Sequence, residues 1–240
     1  MPGTLVLDLG AGAGALTRAL ADAGARVRAV ELEPAAVRQL EARFGADPRV
    51  EVVAGDATVL QLPRESFAVV ANLPFAAGTA ILRRLLSDPS VPLVQLDAIV
   101  EWGLAVKRSA VWPSTVLGCT WGARFELRLV RRVSRACFVP PPGVDAAVLR
   151  ATRRPEPLVV PEEWAGYEAL LQRAFAARAP LDRILPRGIV HRAAHELGFD
   201  RHAGARDLDV RQWPQLYATV RSASPRPRGA GSRRRRRSRR

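Results

Sequence analysis

Short apolar runs alternate with segments of helical spacing over the first 150 residues. Apolar runs of this length are typical of parallel strands buried on both faces. They lie at Thr4–Leu9, Arg26–Val30, Val50–Ala54, Phe67–Ala71 and Leu93–Val100. Between them the sequence predicts helices at Leu16–Ala21 and Thr79–Leu86, one that begins at Pro34, and one after Glu101. This alternation predicts an α/β fold with a mostly parallel sheet.

The pattern changes in the second half of the chain. Phe125–Val130 alternates as a strand does, and the apolar run Ala146–Leu149 follows a proline-rich stretch. From Pro161 onward only helical spacing remains, at Glu162–Arg178, Ile189–Leu197 and Val210–Val220, with Asp209 and Gln212 spaced as a capping box. We therefore predict an α/β domain over residues 1–154 and a small all-helical domain over residues 155–221.

The tetrapeptide Asn72-Leu73-Pro74-Phe75 directly follows the fourth apolar run. It should lie at the carboxyl end of a parallel strand, where α/β sheets bind ligands. An amide oxygen and a free carbonyl can accept both hydrogens of an exocyclic amine such as adenine N6, and the aromatic ring can stack on the base. The alternative is an Asx turn followed by a core phenylalanine.

Glycines and acids follow three of the other predicted strands. Gly10, Gly12 and Gly14 can bring backbone N–H groups close to a ligand, Glu31 can hold ribose hydroxyls, and Asp56 can accept an adenine amino group. The glycine spacing alone also fits a nucleotide-dependent oxidoreductase. The alternatives for the acids are a helix N-terminus for Glu31 and a turn or cap for Asp56.

The loop Cys137–Asp145 contains three successive prolines, which make it stiff and extended. It can hold Phe138 against a cleft as a second stacking surface. Anchoring of a proline-rich crossover in the core is the alternative.

The charge of the chain indicates a polyanionic partner such as nucleic acid. The formal net charge is +14, but residues 221–240 contain ten arginines and no acid, so the first 220 residues carry only +4. Residues 222–240 are expected to be a disordered arginine-rich tail suited to a phosphate backbone, the alternative being a solubilising end. Cys119 and Cys137 do not make a disulfide framework, and no apolar stretch has membrane-spanning length.

His191 and His195 are four residues apart, as two metal ligands on a helix would be. Because no acid or cysteine stands at ligand spacing from them, we interpret them as part of a solvated helix face and predict no metal.

Together, the segments Val6–Gly14, Val30-Glu31, Gly55–Ala57, Ala71–Phe75 and Phe138–Asp145 resemble the rRNA adenine N6-methyltransferases, in order and spacing, over about residues 4–220. Within that family the chain is most similar to the Erm type, whose members methylate one adenine of 23S rRNA and protect the ribosome from macrolides, lincosamides and streptogramin B. The resemblance implies a Rossmann-like class I methyltransferase sheet and S-adenosyl-L-methionine as cofactor.

The resemblance also implies a role for each motif. The target base would be held by Asn72, Leu73, Pro74, Phe75 and Phe138, with the Asn72 amide and the Leu73 carbonyl on N6 and the two rings on the base faces. The cofactor would be bound by Asp8, Gly10, Gly12, Gly14, Glu31, Leu32, Asp56, Ala57 and Asn72. The partner would be 23S rRNA before or during large-subunit assembly, with the enzyme a cytoplasmic monomer that does not bind membranes.

One departure from the family concerns the N-terminus, because Met1-Pro2-Gly3 runs almost directly into the first strand. Family members have a segment there that covers the cofactor, which in this sequence is expected to be missing. Two alternatives follow within the family: a small-subunit rRNA dimethyladenosine transferase, and an RNA-binding homologue with impaired catalysis.

Overall fold

A seven-stranded sheet forms the framework of the protein in a computed structural model that describes residues 3–223. The strand order is β3-β2-β1-β4-β5-β7-β6. The strands are β1 (Leu5–Leu9), β2 (Arg26–Glu31), β3 (Val50–Ala54), β4 (Phe67–Asn72), β5 (Leu93–Glu101), β6 (Phe125–Val133) and β7 (Ala146–Arg153). The α/β prediction and the positions of all these strands are confirmed.

Strands β1 to β5 run parallel to one another, and β7 runs antiparallel to both β5 and β6. The carboxyl ends of the parallel strands therefore meet at one side of the sheet, which we call the carboxyl edge. Gly10, Glu31, Asp56 and Asn72 all lie at or just beyond strand ends on this edge. Strand β7 begins there too, because Ala146 pairs with Glu101.

Helices cover both faces of the sheet. Side chains of alternate residues in β1 point to opposite faces: Leu5, Leu7 and Leu9 belong to a large cluster with α3, whereas Val6 packs with Ala21 of α1. Burial on both faces explains the continuous apolar strands. The helices are α1 (Ala15–Asp22), α2 (Pro34–Phe44), α3 (Gly78–Ser87), α4 (Trp102–Ser109), α5 (Val116–Arg124), α6 (Trp164–Ala177), α7 (Leu181–Ile184), α8 (Arg187–Leu197) and α9 (Gln212–Ala223).

Helices α6 to α9 enclose a second hydrophobic cluster at the C-terminal end of the described chain. The capping box at the start of α9 is confirmed: the Asp209 N–H donates to Gln212 Oε1 at 2.8 Å, and the Gln212 N–H donates to Asp209 Oδ1 at 2.7 Å. Sequence analysis missed the short helix α7, which has only four residues. The domain boundary at residue 154 and the RNA-binding role of the helices stay predictions.

Helix α5 was also missed, and it joins the two clusters. Trp121 packs in the sheet cluster, while Cys119 and Ala123 pack in the helical one. Because the helix is buried on all sides, it has no polar face to produce a helical period, and its two glycines favour other structures. Arg124 ends α5 with its guanidinium over the rings of Phe125 and Trp164, and burial lowers its pKa to about 10.

Two further sequence expectations were that the chain has no membrane-spanning segment and that it ends in a disordered tail. No helix within residues 3–223 is long and apolar enough to span a bilayer. The predicted disordered tail lies outside the described residues, apart from Ser222 and Ala223, which form the last turn of α9.

Gly122 allows α5 to approach the segment before α9, and this contact makes a testable prediction. A Cβ at Gly122 would overlap Val210 Cγ2, so Gly122→Ala should lower the free energy of unfolding by about 2 kcal/mol. Urea denaturation measures the change. Gly188→Ala is the control, because a Cβ there meets no atom within 4 Å. Adding Val210→Ala should recover part of the lost free energy of unfolding. If the effects of the two substitutions on that free energy simply add, the contact is contradicted.

Candidate active site

The glycine loop follows β1 at the carboxyl edge of the sheet. The N–H groups of Gly10 and Ala11 both donate to the Val30 carbonyl, which fixes the loop against β2. Gly10, Gly12 and Gly14 have φ of 75°, 54° and 79°, a region that favours glycine. A Cβ at Gly14 would clash with Phe44 and Leu40, whereas at Gly12 it would meet nothing within 4 Å. The space beside Gly12 is thus open to a ligand.

Glu31 is fixed at the end of β2 by three backbone amides. Its Oε2 accepts from the Gly12 N–H at 2.8 Å, and its Oε1 accepts from the N–H groups of Leu32 at 2.8 Å and Glu33 at 3.0 Å. A carboxylate can accept about four hydrogen bonds, so capacity remains for a ribose hydroxyl. The neighbouring Leu32 side chain is exposed, which leaves an apolar surface next to the carboxylate.

Asp56 follows β3 and uses one carboxylate oxygen to hold its own turn. Its Oδ1 accepts from both the backbone N–H and the hydroxyl of Thr58, each at 2.7 Å. These bonds hold the pKa of Asp56 below its usual value, so it stays ionised. Within residues 3–223, Oδ2 accepts no hydrogen bond. The turn therefore leaves one acceptor oxygen of Asp56 without a hydrogen bond within residues 3–223. Ala57, the next residue, packs against the sheet cluster.

Asp8 lies inside the sheet beneath the glycine loop. Its Oδ2 accepts from the Thr17 hydroxyl at 2.7 Å, whereas its buried Oδ1 has no hydrogen-bond partner among the described residues. Burial is the main cause that raises the pKa of Asp8 to about 6. The Glu31 charge also raises this pKa, and the hydrogen bonds of Thr17 partly oppose the change. An unpaired buried oxygen next to the open glycine loop fits a polar or cationic ligand group.

The Asn72–Phe75 turn touches the glycine loop. An added Cβ at Gly10 would lie 3.5 Å from Pro74 Cδ and 3.8 Å from the Asn72 carbonyl oxygen. The Leu73 N–H donates to the Ile99 carbonyl at 3.0 Å and its side chain is buried, which anchors the turn. Asn72, the single asparagine of the sequence, is exposed. Within residues 3–223, no hydrogen bond is donated to the Leu73 carbonyl.

Phe75 and Phe138 meet at the mouth of this turn. Their ring centroids are 6.3 Å apart and the ring planes are inclined by 70°. Both side chains are half-buried, so neither is the fully buried core residue that the alternative interpretation required. The structure thus brings together the two predicted stacking rings from segments more than sixty residues apart.

Asp145 closes the loop that presents Phe138. Its Oδ1 accepts from the Arg135 backbone N–H at 2.9 Å, and its Oδ2 accepts from Arg132 Nε at 2.8 Å. These two contacts hold the pKa of Asp145 below its usual value. The Asp145 carbonyl accepts from the N–H of Trp102 at 2.9 Å. Sequence analysis did not assign Asp145 or Thr17 to the site, because their partners are distant in sequence or unmarked by any motif.

One side-chain cluster differs from the expectation for His191. Asp182 and His202 lie beside it, with Asp182 Oδ2 3.5 Å from His191 Nε2 and 3.1 Å from His202 Nδ1, whereas His195 is not part of the group. No acid stands at ligand spacing from His191 in the sequence, but the fold brings Asp182 to it from nine positions earlier in the chain. Arg187 lies 3.8 Å from the same oxygen and opposes a cation there. The absence of a metal stays a prediction.

Comparison with known proteins identifies the family. A family model described as ribosomal RNA adenine dimethylase matches residues 1–221. The chain belongs to this family. The mycinamicin-resistance protein MyrB of Micromonospora griseorubida is 36% identical over 231 residues, which cover 94% of this chain and 73% of MyrB. Ribosomal RNA small subunit methyltransferase A of a Synechococcus strain is 32% identical over 92% of this chain and 82% of that protein.

A solved structure extends the comparison. The crystal structure of the 23S rRNA methyltransferase ErmE matches with a TM-score of 0.81 and 30% identity over 92% of both chains. The resemblance to Erm-type enzymes and the Rossmann-like methyltransferase fold are confirmed. This member of the rRNA adenine dimethylase family is an S-adenosylmethionine-dependent rRNA adenine methyltransferase, and the oxidoreductase alternative is rejected.

The raised pKa of Asp8 predicts how stability depends on pH. Since the folded pKa of about 6 exceeds the ordinary value of 3.8, the folded state binds the extra proton, and this group destabilises the fold as pH rises from about 4 to 6. In Asp8→Asn the free energy of unfolding, relative to the parent, should rise by about 3 kcal/mol over that interval. Urea titrations at several pH values measure it. Asp22→Asn, at an exposed position on α1, should show no such trend, and a flat difference for Asp8→Asn would contradict the assignment.

The two fixed carboxylates predict the binding of S-adenosylmethionine. Glu31→Gln and Asp56→Asn should each raise its dissociation constant about tenfold or more, because each removes a charged hydrogen-bond acceptor. Isothermal titration measures the constant, with Glu41→Gln on the exposed surface of α2 as the matched control. Unchanged affinity in either site variant would remove that residue from the cofactor site.

Proposed function

We propose that this enzyme methylates N6 of one adenine in 23S rRNA and thereby confers resistance to macrolides, lincosamides and streptogramin B. The similarity to ErmE and to a mycinamicin-resistance protein supports this substrate over other RNAs. The main structural support for this chemistry is that the Asn72–Phe75 turn lies next to the glycine loop at Gly10. In the proposed function, this places the group that holds the target base beside the loop that binds the cofactor.

Asn72 and the Leu73 carbonyl make the amine reactive by holding its hydrogens. The N6 lone pair is normally delocalised into the adenine ring, which makes this nitrogen a poor nucleophile. Two acceptors that fix both N–H bonds favour a geometry in which the lone pair is free to attack. S-adenosylmethionine supplies the methyl group as a sulfonium. As the N–CH3 bond forms, the S–CH3 bond breaks to leave a neutral thioether, and the N6 proton, made acidic by the transfer, is lost to water. No strong base is therefore needed, since positioning and electrostatics lower the barrier.

Glu31 and Asp56 would orient the cofactor at the ribose and the adenine. Both are ready for this function, because Glu31 is fixed by three amides, and Asp56 is ionised and accepts no hydrogen bond at Oδ2 within residues 3–223. Asp8 and the glycines Gly10, Gly12 and Gly14 would line the methionine part, where Asp8 Oδ1 has spare acceptor capacity. Leu32 and Ala57 would provide apolar contacts beside the cofactor adenine.

Phe75 and Phe138 would hold the target base between them. Carbon contact distances of about 3.5 Å on each face require parallel rings about 7 Å apart. The observed separation of 6.3 Å is close to this value, but the inclination of 70° is not. One ring must therefore turn when the base enters. Stacking then contributes about 1–3 kcal/mol per base face, which can offset the cost of flipping.

The helical end of the chain is proposed to bind rRNA before or during assembly of the large subunit, with the enzyme acting as a cytoplasmic monomer. Arg173, Arg178, Arg192 and Arg206 in this part are exposed and form no ion pair within residues 3–223. Guanidinium groups that are free of internal partners are available to phosphates.

A second candidate substrate is small-subunit rRNA, since the Synechococcus relative is named for it. Methylation of small-subunit rRNA alone would favour this assignment. A third possibility is an RNA-binding homologue with impaired catalysis, and no measurable binding of S-adenosylmethionine by the 240-residue chain would favour it.

The proposed chemistry predicts that Asn72→Ala lowers methyl transfer to protein-free 23S rRNA about 100-fold or more, because one acceptor on the reacting amine is lost. Primer extension on rRNA from a macrolide-sensitive host that expresses the chain should stop at one adenine, and the stop should disappear with Asn72→Ala. Gln39→Ala, an exposed amide on α2 outside the proposed RNA-binding helices, serves as control. Full methylation by the Asn72 variant would contradict the proposed role.

A further inference from the structure

Val139 is the most exposed apolar side chain next to the candidate active site. Its exposed fraction is 99%, and it directly follows Phe138, one of the two stacking rings. Isolated surface valines are common, but this one lies at the mouth of a site that must open a nucleic acid. Its position relative to Phe138 therefore matters.

The backbone directs the two side chains to opposite sides. Phe138 is extended, with φ of −112° and ψ of 149°, so successive side chains alternate across the chain. Phe138 contacts Phe75 inside the site, and Val139 projects outward into solvent. One residue thus lies against the bound base and its neighbour faces the RNA from which the base comes.

The loop is built to keep Val139 exposed. Pro140, Pro141 and Pro142 follow it and fix the backbone φ over three positions. At the base of the loop, the Asp145 carboxylate accepts from the Arg135 N–H and from the Arg132 guanidinium, which itself lies 5.0 Å from the centre of the Trp102 ring. A stiff, doubly anchored loop cannot fold its apolar tip back onto the protein, so the tip is preorganised for a partner.

A flipped base leaves a gap in the stack that it vacates. Several proteins that deform nucleic acids insert an apolar side chain between base steps, which compensates the lost stacking and excludes water from the gap. Val139 has the required exposure, apolar character and rigid support, and its neighbour stacks on the flipped base in the proposed mechanism.

We propose that Val139 is an intercalating wedge that enters the rRNA stack at the position vacated by the target adenine. This inference rests on the proposed function, because it requires a flipped adenine. Val139 is a positioning residue: it would stabilise the open form of the RNA and would not touch the cofactor or the reacting nitrogen.

The test compares two RNA hairpins that differ only in whether the target adenine is stacked and paired or is left unpaired in an enlarged loop. With Val139→Ala, kcat/KM should fall about tenfold on the stacked target and stay within about twofold on the unpaired one, because only the stacked target leaves a gap to fill. Val139→Leu should retain activity on both RNAs. Val94→Ala, an exposed valine at the amino end of β5 and therefore opposite the carboxyl edge, should affect neither.

A binding readout that does not depend on methyl transfer accompanies the kinetics. With 2-aminopurine at the target position, the fluorescence increase on binding of the parent protein should be at least halved in Val139→Ala. Equal losses on both hairpins, or no loss on either, would overturn the wedge and leave the proposed function intact. Failure of the parent protein to methylate either hairpin or 23S rRNA would overturn the proposed function, and the wedge with it.

Discussion

The contact between the glycine loop after β1 and the Asn72–Phe75 turn after β4 is the constraint on which the rest of the site depends. Strands β1 and β4 are hydrogen-bonded neighbours, so the segments that follow them start about 4.8 Å apart. Gly10 lies so near the turn that an added Cβ would be at van der Waals distance from Pro74, 3.5 Å from its Cδ. The glycine loop and the turn consequently lie side by side at the carboxyl edge, which is why the proposed function assigns the cofactor to one and the target base to the other.

Much of this arrangement follows from the order of residues along the chain. Parallel strands end on the same edge, so once the apolar runs were recognised, Gly10, Glu31, Asp56 and Asn72 had to lie together. The proline-rich loop also indicated Phe138 as a second stacking ring, and the family resemblance implied that it pairs with Phe75. The local sequence pattern did not show how the two segments would face each other. Family resemblance supplied the chemistry, because the glycine spacing alone did not separate methyl transfer from hydride transfer.

The features that sequence could not predict are those that depend on packing between distant segments. Helix α5 escaped detection because burial on every side removes the periodicity by which a helix is recognised. The hydrogen bond of Asp8 to Thr17 and the anchoring of Arg135 by Asp145 link side chains that no short motif relates. Likewise, Asp182 reaches His191 only because α7 packs against α8, which a spacing rule for metal ligands cannot anticipate.

The shared position of α5 has a consequence for how the protein unfolds. Within little more than one turn of this helix, Trp121 belongs to one hydrophobic cluster and Cys119 and Ala123 belong to the other. Arg124 connects the two clusters through the rings of Phe125 and Trp164. Unfolding of either hydrophobic cluster would remove the residues that pack against one side of α5 and would expose that side of the helix to water. The sheet and the terminal helices should therefore lose their structure in a single cooperative transition, without a stable catalytic fragment.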